Sequence, residues 1–183
     1  YKPIVIVAGE PNSVFLEIFF KSLKKKSKSP IILVASHQLV ILQMKKLKIK
    51  KKIKLLQIKN LKNNKLNNNS INLINVNYKT SKAFEKISTK SKKYIEDCFS
   101  IALKLIKDNY TSKFINGPIS KKYFLNKKFL GITEYIANKF FIKNFAMLIY
   151  NKKLAVCPLT THLPLAFVPR NINRKKIQKT VKL

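Results

Sequence analysis

The sequence predicts an α/β fold, because strands of the fully buried type alternate with amphipathic helices in its first part. Residues 4–8 and Ile31–Ala35 are apolar throughout, which is typical of strands covered on both faces in a parallel sheet. A helix is predicted after each strand, over residues 15–23 and 38–46. This order of strand, helix, strand and helix is that of an α/β domain with right-handed crossovers.

The rest of the chain adds elements of both kinds. Short edge strands are predicted at residues 53–55 and 71–74, joined by a solvated, asparagine-rich loop over residues 63–69. Further predicted elements are an amphipathic surface helix over residues 81–107, a strand at 114–116, a helix at 120–125 capped by Ser120, a helix at 134–141 capped by Thr133, a strand pair at 145–150 and 154–156, and a basic helix at 173–183. Because the chain starts at a tyrosine and stops in a helix, we expect it to be a piece of a longer protein.

The composition is strongly basic, with 39 Lys and Arg against 7 Asp and Glu and a formal net charge of +32. Such a charge attracts polyanions, so binding to nucleic acid or to an anionic surface is one interpretation. All but two of the 39 cations are lysines, however, whereas nucleic-acid sites usually favour arginine. Asparagine and isoleucine are overused as well, which favours compositional drift and makes a nucleic-acid partner an unfavoured expectation.

Several other classes of protein are not predicted. No apolar run reaches the roughly 18–20 residues of a membrane span, and the first residues lack the layout of a secretory leader. Cys98 and Cys157 lie far apart without the spacing of a metal site, so neither a disulfide scaffold nor a zinc ribbon is expected. A reducing cytoplasm fits this pattern best.

Three loops are candidates for a functional site, at residues 9–13, 117–121 and 160–165. In open α/β sheets, ligands bind beyond the carboxyl ends of the strands, and we expect all three loops there. Each of the 3 glycines lies in a loop after a strand or just before a helix. Tight-turn geometry is the alternative explanation, since glycine alone tolerates a positive φ. No G-x-G-x-x-G, Walker A or G-x-S-x-G motif supports a Rossmann cofactor loop or a common hydrolase scheme.

His162 and Thr133 are the candidate binding residues. His162, one of 2 histidines, has either a structural role or a metal-ligating one, and no second ligand lies close in sequence. Its partners would come from elsewhere in the fold, from a missing segment or from a second subunit. Thr133 can hydrogen-bond a ligand or cap its helix, whose N-terminal N–H groups also suit a phosphate, with Lys121 as a further cation.

Four motifs, in one order along the chain, carry a family resemblance. Residues 7–11 read V-A-G-E-P, similar to an opening P-G-E-P, and residues 116–121 read N-G-P-I-S-K, similar to T-G-P-x-x-K. Residues 131–134 read G-I-T-E, similar to G-H-T-E, and residues 160–165 read T-T-H-L-P-L. Together they resemble the 4-hydroxythreonine-4-phosphate dehydrogenases of vitamin B6 biosynthesis (the pyridoxine 5′-phosphate route).

The resemblance implies a fold, a reaction and a set of ligands. The fold is an isocitrate/isopropylmalate dehydrogenase-like three-layer sandwich, incomplete at the C-terminus, with residues 1–183 as the N-terminal α/β portion and the second half absent. The reaction is NAD-dependent oxidation of 4-phosphooxy-threonine and its decarboxylation to 3-amino-2-oxopropyl phosphate. A divalent metal (Zn, Mg or Co) held in part by His162, substrate binding by Thr133 and a cytoplasmic homodimer are also implied.

The chain departs from the family pattern at two points. Ile132 replaces a substrate-binding histidine, and the family's other metal histidines, further phosphate ligands and most of the nicotinamide site lie in the absent half. We therefore expect the 183-residue chain alone to be inactive. Two alternatives remain open, a basic protein that binds nucleic acid or an anionic surface, and an inactive remnant that binds a phosphorylated metabolite.

Overall fold

The computed structural model describes residues 1–125 and 128–183. Over these residues the chain forms two compact units, an amino-terminal unit of Tyr1–Phe124 and a carboxy-terminal unit of Leu125–Leu183. Across both described ranges, no helix combines the length and the hydropathy that crossing a bilayer requires.

A parallel sheet forms the centre of the amino-terminal unit. Its strands among the described residues are β1 (Ile4–Val7), β2 (Ile31–Ala35), β3 (Ile53–Leu55), β4 (Ile71–Asn75) and β5 (Lys113–Asn116), in the order β3-β4-β2-β1-β5. In the register of the sheet, Ile4 of β1 lies between Ile31 of β2 and Lys113 of β5. The predicted α/β class and its parallel strands are therefore confirmed.

Helices cover both faces of this sheet. They are α1 (Phe15–Ser22), α2 (His37–Lys46) and α3 (Lys92–Lys107). On one face, α1 and α2 bury Leu16 and Leu39 against Ile6 of β1, whereas α3 packs on the other face against β1 and β2. Because successive side chains of a strand point to opposite faces, Val5 and Val7 serve the α3 side, and both are fully buried. The amino-terminal unit is thus a three-layer sandwich.

The structure corrects two predictions for this unit. β4 is not an edge strand, since it lies between β3 and β2, and four of its five residues are buried. The helix predicted over residues 81–107 begins only at Lys92, after a short 3-10 turn over Thr89–Ser91. Residues 81–88 share the apolar spacing of α3, but Phe84 has a φ of 61°, which an α-helix excludes.

The asparagine-rich loop has a structural role that composition does not reveal. The Oδ1 atom of Asn68 accepts a hydrogen bond from the backbone N–H of Ile31 at 2.9 Å. Its Nδ2 atom donates to the carbonyls of Ser27 and Ser29, at 3.2 and 3.0 Å. Asn68 therefore fixes the entry into β2, and the prediction of a merely solvated loop is wrong at this residue.

The carboxy-terminal unit contains α4 (Ile132–Lys139), β6 (Ile149–Tyr150), β7 (Ala155–Val156) and α5 (Arg174–Val181). The strands pair antiparallel, Ile149 with Val156, and are shorter than the predicted 145–150 and 154–156. Tyr135 and Ala137 of α4 are buried, and the Tyr135 ring meets Phe129 edge-on at 5.5 Å between centroids. Asn173 caps α5 by accepting a hydrogen bond from the N–H of Lys176 at 2.9 Å.

The predicted N-cap of α4 is wrong by two residues. The helix begins at Ile132, with Gly131 as its N-cap, so Thr133 lies inside the first turn and not at the cap. By contrast, the predicted cap Ser120 is confirmed, because its hydroxyl accepts a hydrogen bond from the N–H of Tyr123 at 3.2 Å before the single π-helical turn at Lys121–Leu125. The hydroxyl of Thr133 is consequently not needed as a cap.

Replacing Asn68 by alanine tests its role. We expect Asn68→Ala to lower the free energy of unfolding by about 2 kcal/mol, because the backbone groups of residues 27–31 lose their partners. Asn69→Ala changes an exposed neighbour of the same composition and should cost less than about 0.5 kcal/mol. Urea denaturation followed by circular dichroism measures both, and equal losses would contradict the assignment.

Candidate functional site

Two of the candidate loops meet at the carboxyl edge of the parallel sheet. The backbone N–H of Gly117 donates to the carbonyl of Val7 at 2.7 Å, and that of Glu10 donates to the carbonyl of Pro118 at 2.8 Å. Because β1 and β5 are neighbouring parallel strands, their carboxyl ends place loops 9–13 and 117–121 side by side, as the sequence predicted.

Two glycines make this contact possible. Gly9 has a φ of +71°, and a Cβ atom there would lie 2.4 Å from the carbonyl oxygen of Pro118. A Cβ atom on Gly117 would lie 2.2 Å from the carbonyl oxygen of Ala8. Glycine is thus required at both positions by the packing of one loop on the other, and the described backbone leaves no cradle there for the pyrophosphate of a dinucleotide.

A buried carboxylate lies beneath the first loop. Glu10 is 3% exposed, and its Oε2 atom accepts a hydrogen bond from the hydroxyl of Ser91 at 2.9 Å. Burial raises the pKa of Glu10, and the hydrogen bonds from Ser91 and from the Asn12 backbone lower it only in part. The side chain of Glu10 therefore ties the loop after β1 to the start of α3.

Further polar contacts hold the same loop from other elements. The Nε2 atom of Gln43, a fully buried side chain of α2, donates to the carbonyl of Pro11 at 2.9 Å. The Oδ1 atom of Asn12 accepts from the backbone N–H of Glu85 at 3.0 Å. Sequence reasoning missed Gln43 and Ser91 as loop partners. The one available signal was a glutamine within the apolar face of α2.

The third candidate loop does not lie at the edge of the parallel sheet. Residues 160–165 belong to the carboxy-terminal unit and follow β7, which pairs only with β6 among the described residues. The prediction that this loop extends a strand of the open parallel sheet is therefore wrong. Apolar runs predicted the strand, but they carry no information about which strand it pairs with.

His162 lies exposed in this third loop, with a φ of 58°. Few residues other than glycine adopt this left-handed conformation, and histidine is among those enriched there. The turn brings the imidazole to the start of α4, where its Nε2 atom lies 3.8 Å from the position of a Cβ atom built on Gly131. The motifs at residues 131–134 and 160–165, which are 26 residues apart or more, therefore converge within one unit.

Thr133 is the second residue of α4 and is half-buried. Its neighbour Glu134 folds back toward the N-cap, with Oε2 2.9 Å from the same Cβ position on Gly131. In the described part of the chain, no side chain caps the first turn, so its N–H groups remain available to an anion. This corner thus combines an imidazole, a carboxylate, a hydroxyl and free N–H groups.

The donors at this corner fit a metal in kind but not in number. An imidazole and a carboxylate both bind divalent transition metals. Yet the residues that the structure describes contain no group of three or more His, Cys, Asp and Glu side chains placed to hold one ion. Within those residues, His162 and Glu134 do not complete a metal centre by themselves.

These observations define an α/β protein with a parallel sheet and a polar corner built from two separate loop motifs. The chain belongs to the family described as Pyridoxal phosphate biosynthetic protein PdxA, whose sequence model matches residues 26–183. The predicted resemblance is confirmed. The match includes the motifs at residues 116–121, 131–134 and 160–165 and starts after the loop at residues 9–13.

Curated relatives carry one name. A protein of Sulfurihydrogenibium sp. (strain YO3AOP1), named 4-hydroxythreonine-4-phosphate dehydrogenase, is 29% identical over 184 residues, covering 98% of this chain and 56% of that protein. A protein of Aquifex aeolicus (strain VF5) with the same name is 28% identical over 186 residues, covering 100% of this chain and 56% of that protein. The chain thus spans about half the length of the curated relatives it matches.

Solved structures agree on the fold. The crystal structure of a 4-hydroxythreonine-4-phosphate dehydrogenase from Burkholderia phymatum has a TM-score of 0.84 and 19% identity, over 100% of this chain and 57% of that one. That from Klebsiella pneumoniae has a TM-score of 0.83 and 20% identity, over 99% of this chain and 56% of that one. At these identities the likeness establishes the fold alone.

The three glycines should respond differently to alanine. We expect Gly9→Ala to lower the free energy of unfolding by about 3 kcal/mol, because it adds left-handed strain to a clash with backbone. Gly131→Ala meets only movable side-chain atoms and should cost less than about 1 kcal/mol. Urea denaturation of both variants and of Gly117→Ala measures the difference. A loss for Gly131→Ala as large as for Gly9→Ala would contradict the loop packing.

Glu10 should make stability depend on pH. Its folded pKa is raised above the ordinary value of 4.5, so its contribution to the free energy of unfolding is lost as pH rises through that interval. Glu10→Gln stays neutral, and its stability relative to wild type should increase between about pH 4 and pH 7. Ser91→Ala removes a hydrogen bond that lowers the pKa, so the transition should move to higher pH. A difference between Glu10→Gln and wild type that is constant with pH would refute the assignment.

Proposed function

We propose that this chain is the N-terminal portion of a 4-hydroxythreonine-4-phosphate dehydrogenase that acts in vitamin B6 biosynthesis. The reaction is NAD-dependent oxidation of 4-phosphooxy-threonine, with decarboxylation to 3-amino-2-oxopropyl phosphate. The convergence of His162 with the first turn of α4 is the observation that carries the proposal. Membership of the PdxA family and the shared name of the curated relatives support it.

In this proposal the start of α4 binds the phosphorylated hydroxy-amino acid. The first-turn N–H groups, which no described side chain caps, donate to oxygen atoms of the substrate, and the partial positive charge of the helix N-terminus favours an anion there. The hydroxyl of Thr133 adds a donor that is released from capping. Ile132 contributes no hydrogen bond, so Thr133 is the side chain of this turn that orients the substrate.

The proposal assigns His162 to a divalent metal, Zn, Mg or Co, as one of its ligands. When bound, such an ion supplies a Lewis acid that polarises substrate oxygens. Since the described residues hold no complete donor set, the remaining ligands come from the rest of a longer protein or from a second copy. The nicotinamide site comes from the same sources, because the loops at Gly9 and Gly117 pack against each other.

The proposal includes an assembly and a location. Residues 1–183 form the N-terminal portion of an isocitrate/isopropylmalate dehydrogenase-like enzyme, which works as a cytoplasmic homodimer. The three-layer arrangement of the amino-terminal unit is in keeping with that architecture. The relatives' greater length supports a second half, since the chain covers 56% of each of the two described above.

Substrate binding tests the role of Thr133. We expect Thr133→Val, which is nearly isosteric, to weaken binding of 4-phosphooxy-threonine roughly tenfold, because one hydrogen bond is lost. Ile132→Val changes the same turn without touching a polar group and should bind as wild type does. An NMR titration of the 183-residue chain measures both constants, and equal affinities would remove Thr133 from the site.

Turnover tests the role of His162 in a chain extended to the full length of the relatives. We expect His162→Ala to lose bound metal and NADH production from 4-phosphooxy-threonine, whereas His37→Ala keeps both. His37 is a matched control, since it begins α2 in the other unit. Unchanged metal content and turnover in His162→Ala would overturn its assignment as a ligand.

A further inference from the structure

Gly131 is a glycine whose backbone does not require one. Its φ of −159° is extended and open to any residue. The heavy atoms nearest to a Cβ atom at this position are the carboxylate of Glu134, with Oε2 at 2.9 Å, and the imidazole of His162, with Nε2 at 3.8 Å. The missing side chain therefore leaves open the space that these two side chains share.

The two side chains are chemically complementary. A carboxylate only accepts hydrogen bonds when ionised, and a neutral imidazole donates one through its ring N–H. Among the described residues, neither Glu134 nor His162 makes a side-chain hydrogen bond or an ion pair with any other group. Each is therefore free to serve the other across the space above Gly131.

Helix capping is the competing explanation for Glu134. A glutamate at the third position of a helix often accepts a hydrogen bond from the N-cap N–H, as in a capping box. Glu134 occupies that position, but the described structure contains no hydrogen bond between its carboxylate and the first turn. An acidic side chain is also scarce in this chain, which has 7 Asp and Glu in all.

We infer that Glu134 is a positioning residue for His162, whose imidazole N–H donates a hydrogen bond to the Glu134 carboxylate. Nε2 is the ring atom nearest to Gly131, so the proton resides on Nε2 and the lone pair of Nδ1 remains available for another ligand. This inference rests on the proposed function for what Nδ1 binds, but the hydrogen-bonded pair itself does not. A carboxylate behind a histidine fixes its ring and raises its basicity toward a metal.

NMR of the ¹⁵N-labelled 183-residue chain tests the pair at a pH where both histidines are neutral. We expect a ring N–H signal of His162 on Nε2, protected from exchange with water, in wild type. Glu134→Gln keeps an acceptor and should retain the signal, whereas Glu134→Ala should lose it. Gly131→Ala should lose it too, because the added methyl group displaces the carboxylate while leaving it in the chain.

Zn²⁺ alone is the second probe. We expect Glu134→Ala to weaken binding of Zn²⁺ at His162 roughly tenfold, as for other carboxylates behind metal-ligating histidines. Glu17→Ala removes a carboxylate from the surface of α1 and serves as the control for charge. Amide signals of Thr133 and Tyr135 report whether α4 stays folded in each variant.

The outcomes separate the inference from the function on which it draws. An unchanged ring N–H signal in Glu134→Ala, with α4 folded, would overturn the inference. If wild-type His162 does not respond to Zn²⁺ but its N–H signal still depends on Glu134, the pair stands and the metal role fails.

Discussion

The parallel pairing of β1 with β5 is the constraint on which the amino-terminal unit depends. It brings together two chain segments that are more than 100 residues apart and forces the loops after them into contact at Gly9 and Gly117. Glu10, Gln43 and Asn12 then tie the first loop to three other elements. A loop held in this way is a rigid part of the framework, because its backbone polar groups are bound by protein.

The lysine excess is carried outside this framework. In the described residues, ion pairs join Lys21 to Glu17 and Lys93 to Asp97, and both lie on helix surfaces with a spacing of four residues. Exposed pairs of this kind contribute little to stability. The fold instead depends on apolar layers and on buried amides such as that of Asn68 and Asn72, which bond to backbone on either side of β2. Drift toward lysine and asparagine thus supplied amides that the fold uses.

The candidate site shows how far sequence reasoning extends. The motifs around Thr133 and His162 were found from sequence, and the structure places the start of α4 next to the imidazole. The roles of Gln43 and Ser91 could not be predicted, because each contacts a loop from more than 30 residues away. The cap of α4 was misplaced at Thr133 for a local reason, since threonine is a better cap by propensity than the glycine that the chain uses.

By itself, the sequence determined the α/β class, most of the elements around the sheet and the family, because apolar periodicity and short loop motifs are local properties. Only the tertiary structure decided that β4 is interior, that Gly9 and Gly117 serve loop packing, and that the loop at His162 follows an antiparallel hairpin. Strand order and the space above a glycine arise from contacts between distant residues. A pattern read along the chain indicates which residues can be buried, but not which partners bury them.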